Sequence, residues 1–172
     1  MKQIRRANPP ICQASGDGRL SPQLPSGLVV SVEVRRVGGE QEMAAALDLR
    51  DRVFCVEQRV PKHEEIDGRD GEALHLVAVR DGRVIGTCRL LFVDHTVQFS
   101  RLAVDVSARR QGIATLLLQE ADREARAAGA RRMVLHAQTY ARDLYLAAGY
   151  QERGRVFVEA GIEHVAMERR LA

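Results

Sequence analysis

One loop of the sequence has residue types that suit phosphate binding. Residues 109–114 have the sequence Arg-Arg-Gln-Gly-Ile-Ala and join a strand-like pattern to a helix-like pattern. The first N–H groups of a helix lack internal acceptors, and the helix dipole makes that end positive, so anions bind there. Gly112 has no Cβ to obstruct a ligand, and Arg109 and Arg110 attract an anion. The sequence therefore predicts a pyrophosphate site here, with an ordinary strand-to-helix turn as the alternative.

The common nucleotide and metal motifs are absent from this sequence. Neither GxxxxGK[ST] nor GxGxxG occurs, so ATP, GTP and NAD are not the expected ligands. There is no HxxxH pair and no Cys/His cluster, so we expect no metal site. The three cysteines, Cys12, Cys55 and Cys88, are far apart, which indicates a reducing compartment and no structural zinc. The phosphate must therefore belong to another kind of carrier.

Hydrophobic periodicity predicts the elements on the amino-terminal side of this loop. Alternation from Leu28 predicts a first strand. Residues 55–73 are acidic and predicted as a loop, and the Asp81-Gly82 pair predicts a tight hairpin between strands 74–79 and 84–92. A further strand is predicted at 96–104. Between the first strand and the acidic loop, residues 42–54 have helical spacing, and the predicted buried face contains Met43, Ala46, Leu47, Arg50 and Phe54.

The carboxyl-terminal half alternates helices with strands. A helix from residue 113 is predicted to end at Gly129, and a shorter helix at 139–148 to end at Gly149. Strands are predicted at 133–137, 151–158 and 163–168. The resulting order favours an α/β class with a mixed α+β arrangement and disfavours a doubly wound nucleotide-binding sheet. The first long helix of this half is predicted to bury Leu116, Leu117, Ala121, Ala125 and Ala128.

Length and composition indicate one folded domain. The chain has 172 residues, of which 45% are hydrophobic and 28% charged, as in a globular domain. Residues 1–27 contain four of the five prolines and are predicted to be a flexible leader before a domain at 28–172. No apolar run approaches the roughly 18 to 20 residues of a membrane span, and no signal peptide is evident, so we expect a cytoplasmic protein without a membrane partner.

Two motifs together resemble those of the GNAT superfamily of N-acetyltransferases. Residues 109–114 resemble its [QR]xxGx[GA] acyl-CoA motif, and residues 144–150, Leu-Tyr-Leu-Ala-Ala-Gly-Tyr, resemble its later [FL]YxxxG[FY] motif. The resemblance covers about residues 28–170 and includes the order of elements. It implies a GNAT-like fold, in which a central mixed, mostly antiparallel sheet is splayed to hold acyl-CoA and is flanked by helices.

The resemblance implies acetyl-CoA as the co-substrate. It would lie in a V-shaped opening between the strands that end near Val104 and Gln138, with main-chain groups of Leu102 and Val104 pairing with the pantetheine arm. Gln138 stands where the family commonly has Asn. The expected cofactor-binding residues are Leu102, Ala103, Val104, Arg109, Arg110, Gln111, Gly112, Ile113, Ala114, Gln138 and Tyr145.

Acetyl transfer to a primary amine needs a neutral nucleophile, a stabilised oxyanion and a proton for the leaving thiolate. The resemblance implies that Tyr145 donates this proton. A phenol with a reference pKa of about 10 transfers it to a thiolate of pKa roughly 8.5 in a near-balanced or modestly uphill step. The main-chain N–H of Val104 is a candidate for polarising the carbonyl. The alternative for Tyr145 is packing between helix and sheet.

This superfamily usually places the acceptor in the region of the acidic segment that follows the first helix. There Glu57, Asp67 and Asp70, with Glu64 and Glu65 beside them, are candidates to attract a cationic amine, and Glu57 is a candidate base. A solvated acidic loop is the alternative, and the sequence alone does not identify the base. Further candidates for substrate contact are His75 and Arg89. A structural or surface imidazole is the alternative for the strand histidines His75, His136 and His164.

The acidic segment also resembles one branch of the superfamily. Residues 52–58, followed by Glu64, Asp67 and Asp70, resemble the ElaA-like branch, whose acceptors the resemblance does not settle. Acyl-homoserine-lactone synthases are an alternative, because several arginines and acids fall at similar spacing, although Gln98 replaces their usual acid. The sequence is also compatible with a non-catalytic CoA-binding module and with a nucleic-acid-binding protein. The expected partner is an amine on a small molecule or peptide, and dimers are common in such families.

Overall fold

A computed structural model of the chain describes residues 31–171. The predicted leader at 1–27 and the start of the predicted first strand lie outside the described residues. The strands are β1 (Glu33–Arg36), β2 (Leu74–Arg80), β3 (Arg83–Val93), β4 (Thr96–Val104), β5 (Arg132–Gln138), β6 (Gln151–Glu159) and β7 (Ile162–Arg170). The helices are α1 (Glu40–Arg50), which continues as a π-helical turn (Asp51–Glu57), α2 (Lys62–Glu65), α3 (Ile113–Ala127) and α4 (Arg142–Ala147).

All seven described strands form one sheet in the order β1-β2-β3-β4-β5-β7-β6. Every neighbouring pair is antiparallel except β4 and β5, which are parallel. A parallel pair needs a long crossover, and α3 supplies it. The mixed, mostly antiparallel sheet with flanking helices confirms the fold class that the sequence predicted.

The parallel pair β4–β5 is splayed. Its register joins Thr96 to Arg132 and Gln98 to Val134, and pairing between these two described strands ends there. β4 continues to Val104 and β5 to Gln138, so their carboxyl-terminal halves diverge. A V-shaped opening therefore interrupts the middle of the sheet, and within residues 31–171 one edge of β4 has no neighbouring strand there.

A β-bulge lies in the part of β4 that borders this opening. Arg89 of β3 pairs with Ser100 and Thr87 pairs with Ala103, so β4 has one residue more than β3 between these pairs. Arg101 occupies the bulge with φ of 55°, in the left-handed region that a residue with a Cβ rarely adopts. Such strained backbone persists where surrounding contacts hold it, and it is frequent at functional sites.

The two faces of the sheet carry separate apolar clusters. On one face, Leu49 and Val53 of the first helical segment pack with Ala103. On the other face, α3 buries Leu117 and α4 buries Tyr145. Gly86 of β3 permits this packing, because a Cβ there would lie 2.8 Å from the Ile113 side chain.

The predicted hairpin is confirmed, and several predicted burial patterns are wrong. Asp81 and Gly82 have φ of 52° and 72°, as a tight turn with two left-handed residues requires. Leu47 and Leu116 are exposed, and Leu49 and Leu118 take their places in the core. The helical phase differs from the predicted one by a small rotation, because the sheet, not the helix itself, selects the buried stripe.

The acidic segment is more ordered than the predicted loop. Residues 51–57 extend α1 by a wider helical turn, and α2 and a 3₁₀ turn at Asp70–Glu72 follow before β2. The Gln58 N–H donates to the Val53 carbonyl over five residues, which closes the wider turn. Of the helices that the structure describes, none is long and apolar enough to cross a membrane.

Candidate active site

A cavity of about 390 Å³ lies in the V-shaped opening. One wall comes from the segment between α1 and β2 together with the bulged part of β4. The opposite wall comes from β5 and the β6–β7 hairpin, and Tyr145 of α4 reaches the cavity from the core side. The lining includes Asp67, Arg89 and Arg101 on the first wall and His136, Glu159 and His164 on the second.

Main-chain groups at the open edge of β4 face this cavity. The Asp105 N–H donates to the Ile85 carbonyl at 2.9 Å, and alternate residues of an antiparallel strand bond to the same neighbour. Ala103 therefore bonds toward β3, whereas Leu102 and Val104 direct their N–H and C=O groups into the opening. The Ala103 side chain is also buried, so the expectation that Ala103 contacts a cofactor is not supported.

The loop at residues 109–114, which we name the phosphate loop, presents unpaired backbone donors. None of the N–H groups of residues 110–114 has a hydrogen-bond acceptor within residues 31–171. Arg110 and Gly112 have φ of 61° and 80°, and a Cβ on Gly112 would meet nothing within 4 Å. Alternating left-handed residues turn successive N–H groups toward one concavity, the arrangement that binds anions.

Two side chains of the phosphate loop hold its shape. Gln111 donates to the Ser107 carbonyl at 2.9 Å and accepts from Arg80 at 2.7 Å. Arg109 Nε donates to the Val104 carbonyl at 3.0 Å. In this loop Ile113 is buried in the core, so it offers its N–H alone, and Arg110 is exposed. The side chains of Arg109 and Gln111 therefore hold the loop in shape, and the backbone N–H groups of residues 110–114 are the donors that face outward.

Tyr145 occupies the inner end of the cavity. It is 6% exposed, and its ring contacts Phe99 and Tyr150 edge-on at centroid distances of 6.3 and 5.9 Å. Burial raises the pKa of Tyr145 well above its usual range, so the phenol stays protonated at neutral pH. The tyrosine therefore packs helix against sheet and also borders the cavity, and its role as a proton donor stays a prediction.

Gln138 lies at the outer end of the opening in a bridge of three polar side chains. Its amide donates to Gln58 at 2.9 Å and its carbonyl accepts from the Tyr140 hydroxyl. Gln58 in turn donates to the Tyr140 hydroxyl at 3.1 Å. The bridge connects the end of the first helical segment to the end of β5, across the opening between them.

The first wall contains a charged cluster of three arginines and three acids. Arg50 donates to Glu65 at 2.5 Å and to Asp70 at 2.7 Å, and it is 1% exposed. Arg89 connects Asp70 to Asp67, with bonds of 3.0 Å to the former and 2.6 Å to the latter carboxylate. The bulge residue completes the charged cluster, whose members are Arg50, Glu65, Asp67, Asp70, Arg89 and Arg101.

The charged cluster neutralises its own charges. Hydrogen bonds from Arg89 hold the pKa of Asp67 well below its usual range. Arg101 donates to the Glu65 and Glu64 carbonyls at 2.9 Å, and this anchors the bulge to the acidic segment. Asp67 and Arg89 line the cavity, yet each is already paired. Both side chains therefore border the space where a substrate would bind, but their ion-pair partners largely neutralise their charges.

Two other expected substrate contacts do not line the cavity. Asp70 lies beneath the cavity wall between Arg50 and Arg89. His75 is 7% exposed, its Nε2 lies 3.0 Å from the Asp70 carbonyl, and burial lowers its pKa. Neither residue is therefore placed to contact a substrate in this cavity: Asp70 is held by Arg50 and Arg89, and His75 is buried on β2 where it pairs with Arg89.

Glu57 is also placed away from the cavity. Its carboxylate accepts two hydrogen bonds from Arg109, at 2.6 and 2.7 Å. These bonds lower the pKa of Glu57, which makes it a weaker base. The structure therefore does not support Glu57 as the base or as a substrate contact, since the folded chain brings it to an arginine 52 positions away.

Apart from Gln138, the second wall contains residues that the sequence interpretation left as structural or did not single out. His136 and Gln138 on β5, Glu159 on β6, and Ile162 and His164 on β7 line it. Period-two alternation along β5 placed His136 on the face of Gln138, and this signal was available in the sequence. No local signal identified Glu159, because it reaches this wall through the folding of the β6–β7 hairpin.

The described part of the chain offers no metal centre. Within residues 31–171, no group of three or more His, Cys, Asp or Glu side chains is arranged to hold a metal ion. Cys88 is buried and Cys55 is partly buried, both as free thiols.

Comparison with known proteins gives matches over most of the chain. A family model described as an acetyltransferase (GNAT) domain matches residues 35–171. The uncharacterised N-acetyltransferase YjcF of Bacillus subtilis is 32% identical over 129 residues, covering 74% of this chain and 92% of that protein. The solved structure of an acyl-CoA N-acyltransferase from Pseudomonas aeruginosa has a TM-score of 0.71 and 31% identity, covering 81% of this chain and 98% of that one.

A likeness of fold to ElaA is also present. The Escherichia coli ElaA structure has a TM-score of 0.74 at 24% identity, covering 81% of this chain and 99% of that one. These matches agree with the two motifs found in the sequence.

Proposed function

The chain belongs to the GNAT acetyltransferase domain family, and from this premise we propose that it transfers an acetyl group from acetyl-CoA to a primary amine. The acceptor amine is carried by a small molecule or a peptide, and it enters the cavity between the two walls. The amine nitrogen attacks the thioester carbonyl directly, without an acetylated enzyme.

The single observation that carries this proposal is the open edge of β4, which leads directly to the phosphate loop. The main-chain N–H and C=O of Leu102 and the N–H of Val104 face the opening, and an extended pantetheine amide chain pairs with them like a neighbouring strand, while the Val104 C=O accepts from Arg109. The unpaired N–H groups of the phosphate loop then donate to the pyrophosphate at the amino-terminal end of α3. A polar arm followed by a diphosphate is the chemistry of CoA.

Tyr145 is the proposed proton donor to the CoA thiolate. Burial raises the phenol pKa, which by itself makes the proton harder to release. Burial also raises the pKa of the Cys88 thiol, which lies in the adjoining core. A CoA thiolate desolvated in this cavity gains basicity for the same reason, so the two pKa values rise together and the proton transfer stays accessible. The Val104 N–H is a candidate to polarise the thioester carbonyl.

The alternatives from the sequence have less support. Tyr145 in the cavity favours an ordinary acetyltransferase over both a lactone synthase and a non-catalytic CoA-binding module. Nucleic-acid binding gives no reason for a buried tyrosine beside a cavity. Such binding also predicts a steep fall of affinity with salt and no protection by acetyl-CoA.

The test is release of free CoA thiol from acetyl-CoA with a panel of primary amines, for wild type and for Tyr145→Phe. We expect Tyr145→Phe to lower kcat by about 10²- to 10⁴-fold, the range for loss of a general acid, with acetyl-CoA affinity nearly unchanged by isothermal titration. Tyr150→Phe is the matched control, because this phenol is buried outside the cavity against Met133 and should keep the wild-type rate.

Two outcomes would contradict the proposal. Absence of thiol release with every amine, combined with tight CoA binding, would favour the non-catalytic module. Equal turnover of wild type and Tyr145→Phe would remove Tyr145 as the proton donor while leaving the acetyltransferase intact.

A further inference from the structure

An imidazole–carboxylate pair lines the second wall of the cavity. His136 Nδ1 lies 3.0 Å from a Glu159 carboxylate oxygen, and both side chains are about half exposed, at 47% and 52%. An ionised carboxylate only accepts hydrogen bonds, so Nδ1 must carry the proton that forms this one. In the neutral imidazole the lone pair then resides on Nε2, which is the atom that takes up a proton.

The fold places this pair opposite Tyr145. Leu135 and Ala137 of β5 are buried in the same core cluster as Tyr145, and side chains alternate along a strand. His136, between them in sequence, therefore projects to the other face of the sheet. The splay of β4 and β5 opens the cavity to both faces, so a thioester held there has Tyr145 on one side and His136 on the other.

The β6–β7 hairpin brings Glu159 to His136 across an intervening strand. Between the pairs Arg153–Ala166 and Phe157–His164, β6 advances by four positions while β7 advances by two. These extra residues, with Gly154 at φ of 79°, form a bulge that bends β6. Phe157 packs edge-on against His136 at a centroid distance of 4.9 Å and orients the ring.

We propose that His136, oriented by Glu159, is the general base that removes the proton from the acceptor amine. This inference rests on the proposed function and assigns a role that the sequence left open. An alkylamine whose conjugate acid has a pKa of about 10.4 is neutral in roughly one molecule in 10³ at pH 7, so a base beside the thioester gives the bound ammonium a direct path to lose its proton. Exposure lets the imidazolium return its proton to water after each turnover.

Each proton in this sequence has a donor and an acceptor. An ammonium acceptor first gives one proton to His136 Nε2, directly or through water, and the imidazolium passes it to solvent. The neutral amine then forms the C–N bond and transfers a second N–H proton to His136. The C–S bond breaks with its electron pair on sulfur, and the thiolate takes the Tyr145 proton. The tyrosinate regains one proton as the imidazolium loses one, so one net proton is released for each ammonium consumed.

Other titratable groups of the wall suit this role less well. His164 is 8% exposed, and its Nδ1 lies 2.9 Å from the Ile162 carbonyl, so it is far less accessible to an incoming amine than the half-exposed His136. His75 and Glu57 do not line the cavity. The charged or titratable groups that line the cavity with His136 are Glu159 and His164 on its own wall, Tyr140 and Tyr145, and, on the opposite wall, Glu64, Glu65, Asp67, Arg69, Arg89 and Arg101.

The test compares His136→Gln, Glu159→Gln and His164→Gln in the thiol-release assay with an alkylamine acceptor from pH 5 to 9. We expect His136→Gln to lower kcat by about 10²- to 10³-fold, with KM for the amine changed less than about threefold. The pH profile of kcat/KM should differ between wild type and His136→Gln, because only the wild type has the imidazole base. Glu159→Gln should lose about tenfold or more.

Matched controls and a rescue separate chemistry from structure. His95→Gln and Glu163→Gln change exposed side chains outside the cavity and should keep the wild-type rate. Added imidazole should restore part of the rate of His136→Ala, which a purely structural role would not permit. Circular dichroism and urea unfolding check that each variant is folded.

The possible results separate a failure of this inference from a failure of the proposed function. An active wild type with a His136→Gln variant of equal kcat and equal pH profile overturns this inference alone. A loss confined to His164→Gln also overturns it and reassigns the base. A wild type that releases no thiol with any amine overturns the proposed function and this role together.

Discussion

The phosphate loop and the charged cluster border the same opening and differ in how their polar groups are satisfied. In the phosphate loop, the N–H groups of residues 110–114 have no acceptor within residues 31–171. In the charged cluster, three arginines and three acids bond to one another, and Arg50 and Arg89 are almost fully buried. One region leaves its backbone donors unsatisfied within the described protein, and the other pairs its charged groups internally.

A high density of charged side chains therefore does not by itself indicate a binding site. Desolvating an arginine is costly unless its partners are in place, so a buried network requires nearly complete pairing. The charged cluster therefore shapes the first wall and anchors the β4 bulge. Unpaired donors beside a strand edge without a neighbour are the stronger sign of a ligand.

The largest expected effect comes from breaking the charged cluster. Arg89→Met leaves Asp67 and Asp70 without their shared partner in a buried site, and we expect the free energy of unfolding to fall by about 3–5 kcal/mol. Urea unfolding measures this change. Arg83→Met on the same strand is the control, because Arg83 is exposed and its removal should cost less than about 0.5 kcal/mol. Equal losses in both variants would contradict a structural role for the cluster.

The phosphate loop should respond in ligand affinity. Gly112→Val puts a branched side chain at φ of 80°, facing the proposed pyrophosphate, and we expect acetyl-CoA affinity to fall about tenfold or more by isothermal titration. Gly82→Val is the matched control, because Gly82 has φ of 72° and equally open space but lies in a hairpin turn. Both variants should lose about 1–2 kcal/mol of stability from the left-handed conformation. Unchanged affinity in Gly112→Val would reject this location for the pyrophosphate.

Acid pH should weaken the charged cluster in a defined direction. Arg89 holds the folded-state pKa of Asp67 below its usual range, so the contribution of Asp67 to stability is present above the unfolded-state pKa of about 3.9. That contribution is lost as pH falls further toward the folded-state pKa. The difference in unfolding free energy between wild type and Asp67→Asn should therefore shrink between pH 5 and pH 2.

The control for this pH series is Asp81→Asn, since Asp81 is exposed in the hairpin turn and Asn tolerates its left-handed conformation. Asp81→Asn should follow the wild-type pH dependence. A pH-independent difference for Asp67→Asn would show that the ion pair with Arg89 does not depress the carboxyl pKa.

The smallest effect is expected for Glu57→Gln. This variant tests whether Glu57 is an ion-pair partner of Arg109 or a general base. Glu57→Gln frees Arg109 beside the phosphate loop, and an exposed ion pair contributes at most about 1 kcal/mol. We expect acetyl-CoA affinity to tighten by no more than about fivefold and kcat to change less than about twofold. A large fall in kcat with unchanged affinity would restore Glu57 as the base.

Much of the fold was predictable because its signals are local. The Asp81-Gly82 turn, the strand alternation and the glycine after α3 depend on residues close in sequence. The phase of the helices was less predictable, since Leu47 and Leu116 satisfy the same spacing as the residues that the sheet buries. In the site, the phosphate loop and Tyr145 followed from motifs, whereas the roles of the acidic segment did not.

Local sequence patterns predict the order of elements, the position of the phosphate loop and the place of Tyr145 in the later motif. Each of these signals depends on residues that are close together in the chain. The tertiary structure alone decided which charges are paired. Glu57 meets Arg109 from 52 positions away, and Glu159 meets His136 from 23 positions away, across another strand. Whether a charged side chain is free for chemistry depends on its partners, and those contacts arise only when the chain is folded.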